Sequence, residues 1–298
     1  MSQDWQPRIG INPIVWTNDD FDDLGDDIPL ERCLAETRAA GYEGSELGRK
    51  FPRQATLLRA ALAAHGLHLV SGWHSTHVLE QSIEVEAHAL DLHLDLLAAC
   101  GSEVAIVAEC SRRIYPDPAV PLVFARNGDG LQDGELQRLA AGLERLAHRA
   151  RERGLRLAYH HHMGTVIQTA AEVDALMART RELGLLLDTG HLALAGDDPL
   201  AVLERHIERV IHVHLKDVRS EVAALARRDD WPFARAVRAG VFTVPGDGAI
   251  DFAPILARLR RARYRGWLVV EAEQDPRVAP PAEYARRGRE HVRALAEV

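Results

Sequence analysis

Histidines and carboxylates follow several short apolar segments of this chain, and their types suit metal binding and proton transfer. Imidazole and carboxylate groups are common ligands of transition metals, and they are also the usual general acids and bases of enzymes. The groups in question are His160-His161-His162, Asp188-Thr189-Gly190-His191, His212-Val213-His214-Leu215-Lys216 and Glu271-Ala272-Glu273. The sequence therefore predicts acid–base chemistry on a small molecule, with or without a metal ion.

The segment 210–216 is the most informative of these groups. Successive side chains of a β-strand point to opposite faces, so His212, His214 and Lys216 share one face of the predicted strand. The opposite, apolar face is formed by Ile211, Val213 and Leu215. A single inward histidine is usually a satisfied core residue, but two histidines and a lysine in a row favour a functional site.

The same alternation places Glu271 with Glu273, and His160 with His162, while His161 points the other way. A mixed nitrogen and oxygen donor set suits Mn²⁺, Co²⁺, Fe²⁺ or Zn²⁺ better than Mg²⁺ or Ca²⁺. Buried carboxylates this close would repel one another without a cation. The alternative is a metal-free network of histidine–carboxylate pairs.

The elements that must hold these groups alternate between short β-type runs and helical runs, which is typical of parallel βαβ units. Eight strand–helix pairs in series predict a closed (β/α)8 TIM barrel that forms one domain over residues 1–298. Functional groups gather at the carboxyl ends of the strands in such a barrel. Every predicted strand end here is polar or ionisable, namely 16–20, Glu46, 73–74, Glu109, 160–162, 188–191, 212–216 and 271–273.

Three predicted elements bear on the site. The first strand is predicted over 9–16, and the helix after the fifth strand over 170–182. A long insertion, 219–247, follows the seventh strand and holds Trp231, Phe233 and Phe242 among charged residues. It is expected to be a lid that excludes water, or else a surface excursion or a subunit contact.

Composition narrows the class of protein. The formal net charge of −8 disfavours nucleic acid as a partner. No apolar run approaches the roughly 20 residues of a membrane span, and the N-terminus lacks the pattern of a signal peptide. The three cysteines, Cys33, Cys100 and Cys110, show no pairing that would indicate a disulfide scaffold or a thiolate metal site. We expect a cytoplasmic protein that acts on a small molecule.

Several segments together resemble the sugar-phosphate isomerase/epimerase superfamily, the xylose-isomerase-like TIM barrels. The Asp-x-x-His and x-His-x-Lys-Asp patterns with a late Glu are typical of the superfamily. The W-T-N-D-D and F-T-V-P-G-D-G segments resemble more narrowly the dehydratases of keto-inositols. The matching segments are 10–20 (GINPIVWTNDD), 46–48 (ELG), 50–52 (KFP), 160–165 (HHHMGT), 188–191 (DTGH), 212–219 (HVHLKDVR) and 240–248 (GVFTVPGDG).

The resemblance implies a metal site. Members of the superfamily bind a divalent metal through Glu, Asp, His and Glu on strands five to eight, and the last three carry over to Asp188, His214 and Glu271. The first Glu is absent from this sequence, and His160 stands in its place with His162 as a competitor. The expected metal is Mn²⁺ or Co²⁺, with Zn²⁺ or Fe²⁺ as alternatives.

The narrower resemblance implies removal of water from scyllo-inosose (2-keto-myo-inositol), a cyclic polyol ketone, to give a trihydroxycyclohexane-1,2-dione in inositol catabolism. Such a step needs a base for the C–H next to the ketone and an acid for the departing hydroxyl. The candidates for these roles are Lys216, His162, His191, Glu46 and Glu273. Substrate contacts are expected from Asn18, Asp19, Asp20, Trp16, Trp73, His74 and His191.

Three other functions fit the same residues less well. A ketose 3-epimerase or sugar isomerase of the superfamily would be expected to carry the missing strand-five Glu. A metal-dependent nuclease for abasic DNA would want a basic surface, which the net charge of −8 disfavours. A non-catalytic polyol-binding protein is the third alternative. The sequence is compatible with a homo-oligomer.

Overall fold

A closed barrel of parallel strands forms the centre of the protein. The computed structural model describes residues 5–122, 124 and 130–297. In this part of the chain, eight strands pair side by side, and the last pairs with the first, so the sheet has no free edge. These strands are β1 (Arg8–Ile11), β2 (Gly44–Leu47), β3 (His68–Thr76), β4 (Val104–Glu109), β5 (Arg156–His160), β6 (Gly184–Asp188), β7 (Val210–Leu215) and β10 (Trp267–Val270). The predicted (β/α)8 barrel is confirmed.

Helices cover the outside of the barrel because each has one apolar stripe. In the fourth helix, Leu136, Leu139, Leu143 and Leu146 recur every three or four residues and are all buried. None of the helices in the described ranges combines the length and apolarity of a membrane span. The helices are α1 (Leu30–Ala39), α2 (Ala55–Ala64), α3 (Ile83–Ala99), α4 (Asp133–Arg151), α5 (Ala170–Met177), α6 (Thr189–Ala195), α7 (Pro199–His206), α8 (Ser220–Arg228), α9 (Phe233–Arg238), α10 (Phe252–Arg261) and α11 (Pro281–Ala296).

Two predicted boundaries are wrong for local reasons. The first strand ends at Ile11 rather than at residue 16, because Asn12 caps a short 3-10 helix, Pro13–Val15, through a bond from Ile14 N to its Oδ1 at 2.9 Å. The helix predicted over 170–182 ends at Met177. The Glu144 carboxylate accepts bonds from the backbone N–H groups of residues 181, 182 and 183, which therefore leave the helix.

The face assigned to Ile211 is also wrong. The pairing of β6 with β7 shifts by one residue, since Leu185 pairs with Val210 while Leu186 pairs with His212. Ile211 therefore turns into the barrel, where it joins an interior apolar cluster with Val104, Ile106, Ala158 and Leu186. Val213 and Leu215 face the helices as predicted. The apolar cluster closes the lower half of the barrel beneath the polar side chains.

The insertion 219–247 folds as a small unit beside the carboxyl end of the barrel. It contains α8 and α9 and is framed by two short antiparallel strands, β8 (Asp217–Val218) and β9 (Phe242–Thr243). These elements share an apolar cluster with residues from other segments at the same end, including Phe21, Leu24, Tyr115, Met163 and Leu194. The insertion is therefore built onto the site end of the barrel rather than projecting from it.

One carboxylate organises the turn that follows β9. Asp217 Oδ2 accepts bonds from Gly246 N at 3.0 Å and Gly248 N at 2.9 Å, and its Oδ1 accepts one from Ile250 N at 2.9 Å. A Cβ at Gly248 would lie 2.4 Å from Asp217 Oδ1 and 2.6 Å from Val218 O. The P-G-D-G sequence is thus explained by close backbone approach to a carboxylate.

We expect Gly248→Ala to lower the free energy of unfolding by about 1–3 kcal/mol, because the added methyl group overlaps the Asp217 carboxylate. Gly134→Ala is the matched control: it lies in α4 with open space around it, and it should raise stability by up to about 1 kcal/mol. Denaturant midpoints measure both. Equal effects of the two substitutions would contradict this account of the turn.

Candidate active site at the carboxyl end of the barrel

Four side chains from neighbouring strands converge at the mouth of the barrel and define what we call the ligand set: His160, Asp188, His214 and Glu271. His160 Nε2 lies 3.5 Å from Asp188 Oδ2, and His214 Nδ1 lies 3.6 Å from the same oxygen. His214 Nδ1 is 2.8 Å from Glu271 Oε2. Donor atoms of His160, Asp188, His191 and Glu271 lie within 4.8 Å of one another, and His214 adjoins this group through its contacts with Asp188 and Glu271.

The donor chemistry of the ligand set fits a divalent metal. Asp188 Oδ2 and His214 Nδ1 are buried and, apart from ionic contacts such as that of His214 Nδ1 with Glu271, make no well-aligned hydrogen bond within the described part of the chain. His160 Nδ1 donates to the carbonyl oxygen of His161 at 2.6 Å, so Nε2 is the ring nitrogen that faces Asp188. Buried imidazole and carboxylate atoms of this kind are the donors that a transition metal takes.

Four more side chains lie against the ligand set, and we call them the proton-transfer set: His162, His191, Lys216 and Glu273. Lys216 Nζ is 2.8 Å from Glu273 Oε1 and 2.5 Å from Glu271 Oε1, so it touches both sets. Its aliphatic chain passes over Gly190, where a Cβ would lie 2.5 Å from Lys216 Cγ. The glycine of the D-T-G-H segment therefore makes room for the lysine.

The two histidines of the proton-transfer set differ in which ring nitrogen is free to accept a proton. His162 Nδ1 donates to the carbonyl oxygen of Met163 at 2.8 Å, so its Nε2 carries a lone pair. His191 Nδ1 accepts a bond from Met163 N at 3.3 Å, and its Nε2 lies 3.0 Å from Lys216 Nζ. A neutral imidazole has one acceptor nitrogen, so His191 cannot accept from both. Of the two donors, Met163 N is fixed in the backbone, whereas the Lys216 side chain can turn toward another acceptor.

Electrostatics set the charge of each group. Burial lowers the pKa of His162 well below its usual value, and His191 adds to this effect. Burial also opposes the charge of Lys216, but Asp188, Glu271 and Glu273 outweigh it and raise the pKa of the lysine above its ordinary value. His162 is therefore neutral and Lys216 protonated near pH 7.

The carboxylates of the ligand set are ionised. Burial opposes the charge of Asp188, but Lys216 and His191 outweigh it and hold the pKa of this carboxyl well below its usual value. For Glu271, His214 and Lys216 outweigh burial and lower the pKa to about 2. Burial lowers the pKa of His214, but Glu271 and Glu46 prevail and raise it well above its usual value. A cation would therefore displace a proton from the His214 ring.

A second layer of polar side chains lies behind the ligand set. Glu46 is fully buried, and its Oε1 is 2.8 Å from His212 Nε2 and 3.1 Å from His214 Nε2. Ser71 Oγ also donates to this oxygen, at 2.5 Å. Asn12 Nδ2 donates to Glu46 Oε2 at 2.8 Å and to Glu271 Oε2 at 2.8 Å. His214 and Glu271 are therefore held from behind.

Aromatic rings from the insertion cover the proton-transfer set. The ring of Phe233 lies 5.3 Å from that of His162 and is nearly parallel to that of His191 at 6.1 Å. Phe242 lies 4.6 Å beneath the charge of Lys216. The cover leaves every side chain of both sets buried, from 0% to 6% exposed.

The structure brings some of the expected substrate contacts to the site and places others elsewhere. The ring of Trp73 lies 5.2 Å from that of His160, so it reaches the site. His74, the next residue along β3, points outward and contacts His93 on α3. Trp16 is fully buried, and its indole N–H donates to Glu36 on α1 at 2.6 Å. The structure therefore removes His74 and Trp16 from the cluster.

The loop after β1 approaches the site through its acidic residues. Asn18 Oδ1 accepts bonds from the backbone N–H groups of Asp20 and Phe21, both at 2.8 Å, and so shapes the turn. Burial raises the pKa of Asp20 to about 7, and the neighbouring charge of Glu273 adds to the effect. Asp19 Oδ1 accepts a bond from Arg49 N at 3.1 Å. Asp20 is thus the residue of this loop whose pKa is raised by a charge of the proton-transfer set.

Sequence reasoning missed three contributors to the site. Asn12 and Ser71 bind Glu46, and Tyr115 lies against His162 with ring centroids 4.6 Å apart. Asn12 lies inside the segment 10–20, which carries part of the family resemblance, and Ser71 lies on β3 with the same alternation as Trp73. Alternation would therefore have found Ser71, whereas Tyr115 lies in a loop that carries no periodic signal.

The fold and this arrangement of ligands define the class of protein. A family model described as xylose isomerase-like TIM barrel matches residues 34–295, and the chain belongs to that family. Within it, the chain belongs with the inosose dehydratases: it is 46% identical over 288 residues to inosose dehydratase of Geobacillus thermodenitrificans, covering 96% of each chain. It is also 47% identical over 290 residues to rhizopine catabolism protein MocC of Rhizobium meliloti, covering 97% of this chain and 88% of that protein.

Solved structures share the fold at much lower sequence identity. An L-ribulose 3-epimerase superposes with a TM-score of 0.69 at 19% identity, covering 98% of this chain and 95% of that one. The probable 3-DHS dehydratase AsbF of Bacillus anthracis superposes with a TM-score of 0.70 at 13% identity, covering 96% of this chain and 98% of that one. These likenesses show the fold alone.

Proposed function

We propose that this protein is a metal-dependent inosose dehydratase, which removes water from scyllo-inosose to give a trihydroxycyclohexane-1,2-dione. The observation that carries the proposal is the contact between the two sets: Lys216 touches a carboxylate of the ligand set and one of the proton-transfer set. Elimination next to a ketone needs both functions side by side. The inosose dehydratases that this chain resembles over nearly its whole length support the same reaction.

The ligand set would hold the metal. His160 is the fourth ligand in this proposal, rather than His162, because its Nε2 faces Asp188 while His162 groups with His191 and Glu273. A bound divalent cation supplies Lewis acidity toward a ketone oxygen and stabilises the negative charge that proton removal creates. The nitrogen-rich set favours Mn²⁺ or Co²⁺, with Zn²⁺ or Fe²⁺ as alternatives.

Two members of the proton-transfer set, His162 and Lys216, each carry one of the two proton transfers of the elimination. Neutral His162 accepts the proton from the carbon next to the ketone at its Nε2. Protonated Lys216 turns from His191 toward the departing hydroxyl and donates a proton, so that water leaves as the C–O bond breaks. The enol formed in this way rearranges to the dione. Glu273 holds Lys216 in place, and His191 contacts the substrate.

The ring hydroxyls of the substrate need polar partners at the mouth. Asp19 and Asp20, on the turn that Asn18 shapes, supply acceptors in this proposal, and Trp73 offers an apolar face to ring hydrogens. The aldose–ketose chemistry of related barrels is disfavoured because His160 replaces the strand-five Glu. A cytoplasmic location, the absence of a nucleic-acid partner and a homo-oligomeric state stay predictions.

We expect metal-stripped protein to be inactive on scyllo-inosose and to regain activity with Mn²⁺ or Co²⁺. The measurement is the ultraviolet absorbance of the dione, recorded before and after each metal is added. Asp188→Asn should abolish the recovery, since it removes an anionic ligand. Turnover that is equally fast with and without a chelator would contradict a metal-dependent mechanism, and no turnover with any metal would contradict the dehydratase.

We expect His162→Gln to lower kcat about 10²–10⁴-fold with a smaller change in KM, because the amide cannot accept a proton. Steady-state kinetics with saturating metal measure the effect. His148→Gln, at an exposed position on α4, is the control and should leave both constants unchanged. A folded His162→Gln protein with wild-type kcat would show that His162 is not the base.

The insertion 219–247 is a lid in this proposal. Phe233 and Phe242 lie directly on the proton-transfer set, whose side chains are almost completely buried. A cyclic polyol reaches these side chains only when part of the cover moves away. Closure over the substrate then excludes water from the elimination.

We expect trypsin to cleave after Arg227 or Arg228, exposed at the end of α8, more slowly when metal and myo-inositol are present. Myo-inositol lacks the ketone and stays intact in the site. Cleavage after Arg263, exposed beyond α10, is the internal control and should not change. Equal protection of both positions, or of neither, would contradict a lid in this segment.

A further inference from the structure

Glu46 lies where both of its carboxylate oxygens are already engaged by the protein. Ser71 Oγ, His212 Nε2 and His214 Nε2 surround Oε1 at 2.5, 2.8 and 3.1 Å. Asn12 Nδ2 occupies Oε2 at 2.8 Å. All four partners are on strands or strand ends of the barrel wall, and Glu46 is 2% exposed. A carboxylate held in this way is a poor acceptor for a substrate proton.

The contact with His214 has a consequence for its other nitrogen. Because Nε2 faces an acceptor-only carboxylate, it must carry a proton to make this bond. Nδ1 also faces carboxylates, those of Asp188 and Glu271, so it holds a proton until a cation displaces it. The lone pair for the cation then forms at Nδ1, because Nε2 keeps its proton for Glu46. Glu46 therefore selects which nitrogen of His214 binds a metal.

Asn12 links this arrangement to a second ligand. Its amide donates one hydrogen to Glu46 Oε2 and the other to Glu271 Oε2, both at 2.8 Å. The amide cannot rotate freely, because Asn12 Oδ1 accepts a bond from Ile14 N at 2.9 Å. β1 lies between β2 and β10 in the barrel, so one side chain on its end spans the two neighbouring carboxylates.

We propose that Glu46 and Asn12 are positioning residues, which fix the tautomer of His214 and the orientation of Glu271 so that a divalent cation is bound tightly. The inference rests on the proposed function in taking the ligand set as a metal site. It removes Glu46 from the candidates for proton transfer. Partners of metal ligands typically contribute 10–100-fold to metal affinity, and about this effect is expected here.

The test is a Co²⁺ titration of metal-stripped protein, followed by visible absorbance. Glu46→Gln keeps the shape of the side chain and loses its charge, and it should raise the Kd for Co²⁺ about 10–100-fold. Asn12→Asp keeps the acceptor that caps the 3-10 helix and places an acceptor between two carboxylates. It should raise the Kd at least as much, and it serves if Glu46→Gln does not fold.

A matched control separates position from general loss of a buried charge. Glu86 is a buried carboxylate on α3 that accepts a bond from His77 N at 2.9 Å. Glu86→Gln should leave the Kd for Co²⁺ unchanged. Any loss of stability alone would appear in this variant as well.

Turnover at saturating metal distinguishes positioning from proton transfer. A positioning role predicts that kcat of Glu46→Gln returns to within a few-fold of wild type once the site is filled. An unchanged Kd with kcat still low at saturating Co²⁺ would overturn the inference and leave the dehydratase standing. Failure of the wild-type protein to bind Co²⁺ would overturn both the inference and the metal site.

Discussion

Four carboxylates, from Glu46, Asp188, Glu271 and Glu273, are buried at one end of a closed barrel, and the site is arranged around the cost of holding their charge. An ionised carboxylate in a protein interior is destabilised by several kcal/mol unless it is paired and hydrogen-bonded. Lys216 supplies one fixed positive charge, and His214 supplies another when protonated. A divalent metal bound to the ligand set would supply further positive charge. The buried carboxylates and a bound cation would therefore stabilise one another.

The barrel makes this density of charge attainable. Parallel strands end at the same level, so side chains that are far apart in sequence meet at the mouth. The apolar cluster that includes Ile211 closes the floor beneath them, and the aromatic residues of the insertion close the top. Water is thereby kept from the charges, which strengthens each interaction inside.

The sequence was sufficient for the features that follow from alternation along a strand. His214 with Lys216, and Glu271 with Glu273, meet because residues two apart on a strand share a face. The barrel itself followed from the regular succession of strand-like and helical runs. The same reasoning failed for Ile211, because a shift in the pairing of β6 with β7 has no signature in a single sequence. For His74, alternation with Trp73 indicates the outer face of β3, in agreement with its contact with His93.

Other features depend on distant neighbours and could not be predicted locally. Asn12 contacts Glu46 and Glu271, which lie 34 and 259 residues away, and its role exists only because the barrel closes between β1 and β10. Trp16 is drawn to Glu36 of α1 rather than to the site. The sequence predicts Asp19 and Asp20 as substrate contacts, but only the folded loop brings Asp20 close enough to Glu273 for that charge to raise the pKa of Asp20.

The two short strands at the ends of the insertion hold it in place independently of its helices. β8 pairs with β9, and Asp217 holds the turn beyond β9, so both ends of the insertion are tied to one point next to Lys216. The length and sequence of α8 and α9 can then vary without moving the end of β7. Substitutions in α8 and α9 are therefore expected to reshape the aromatic cover over the site while the end of β7 stays in place.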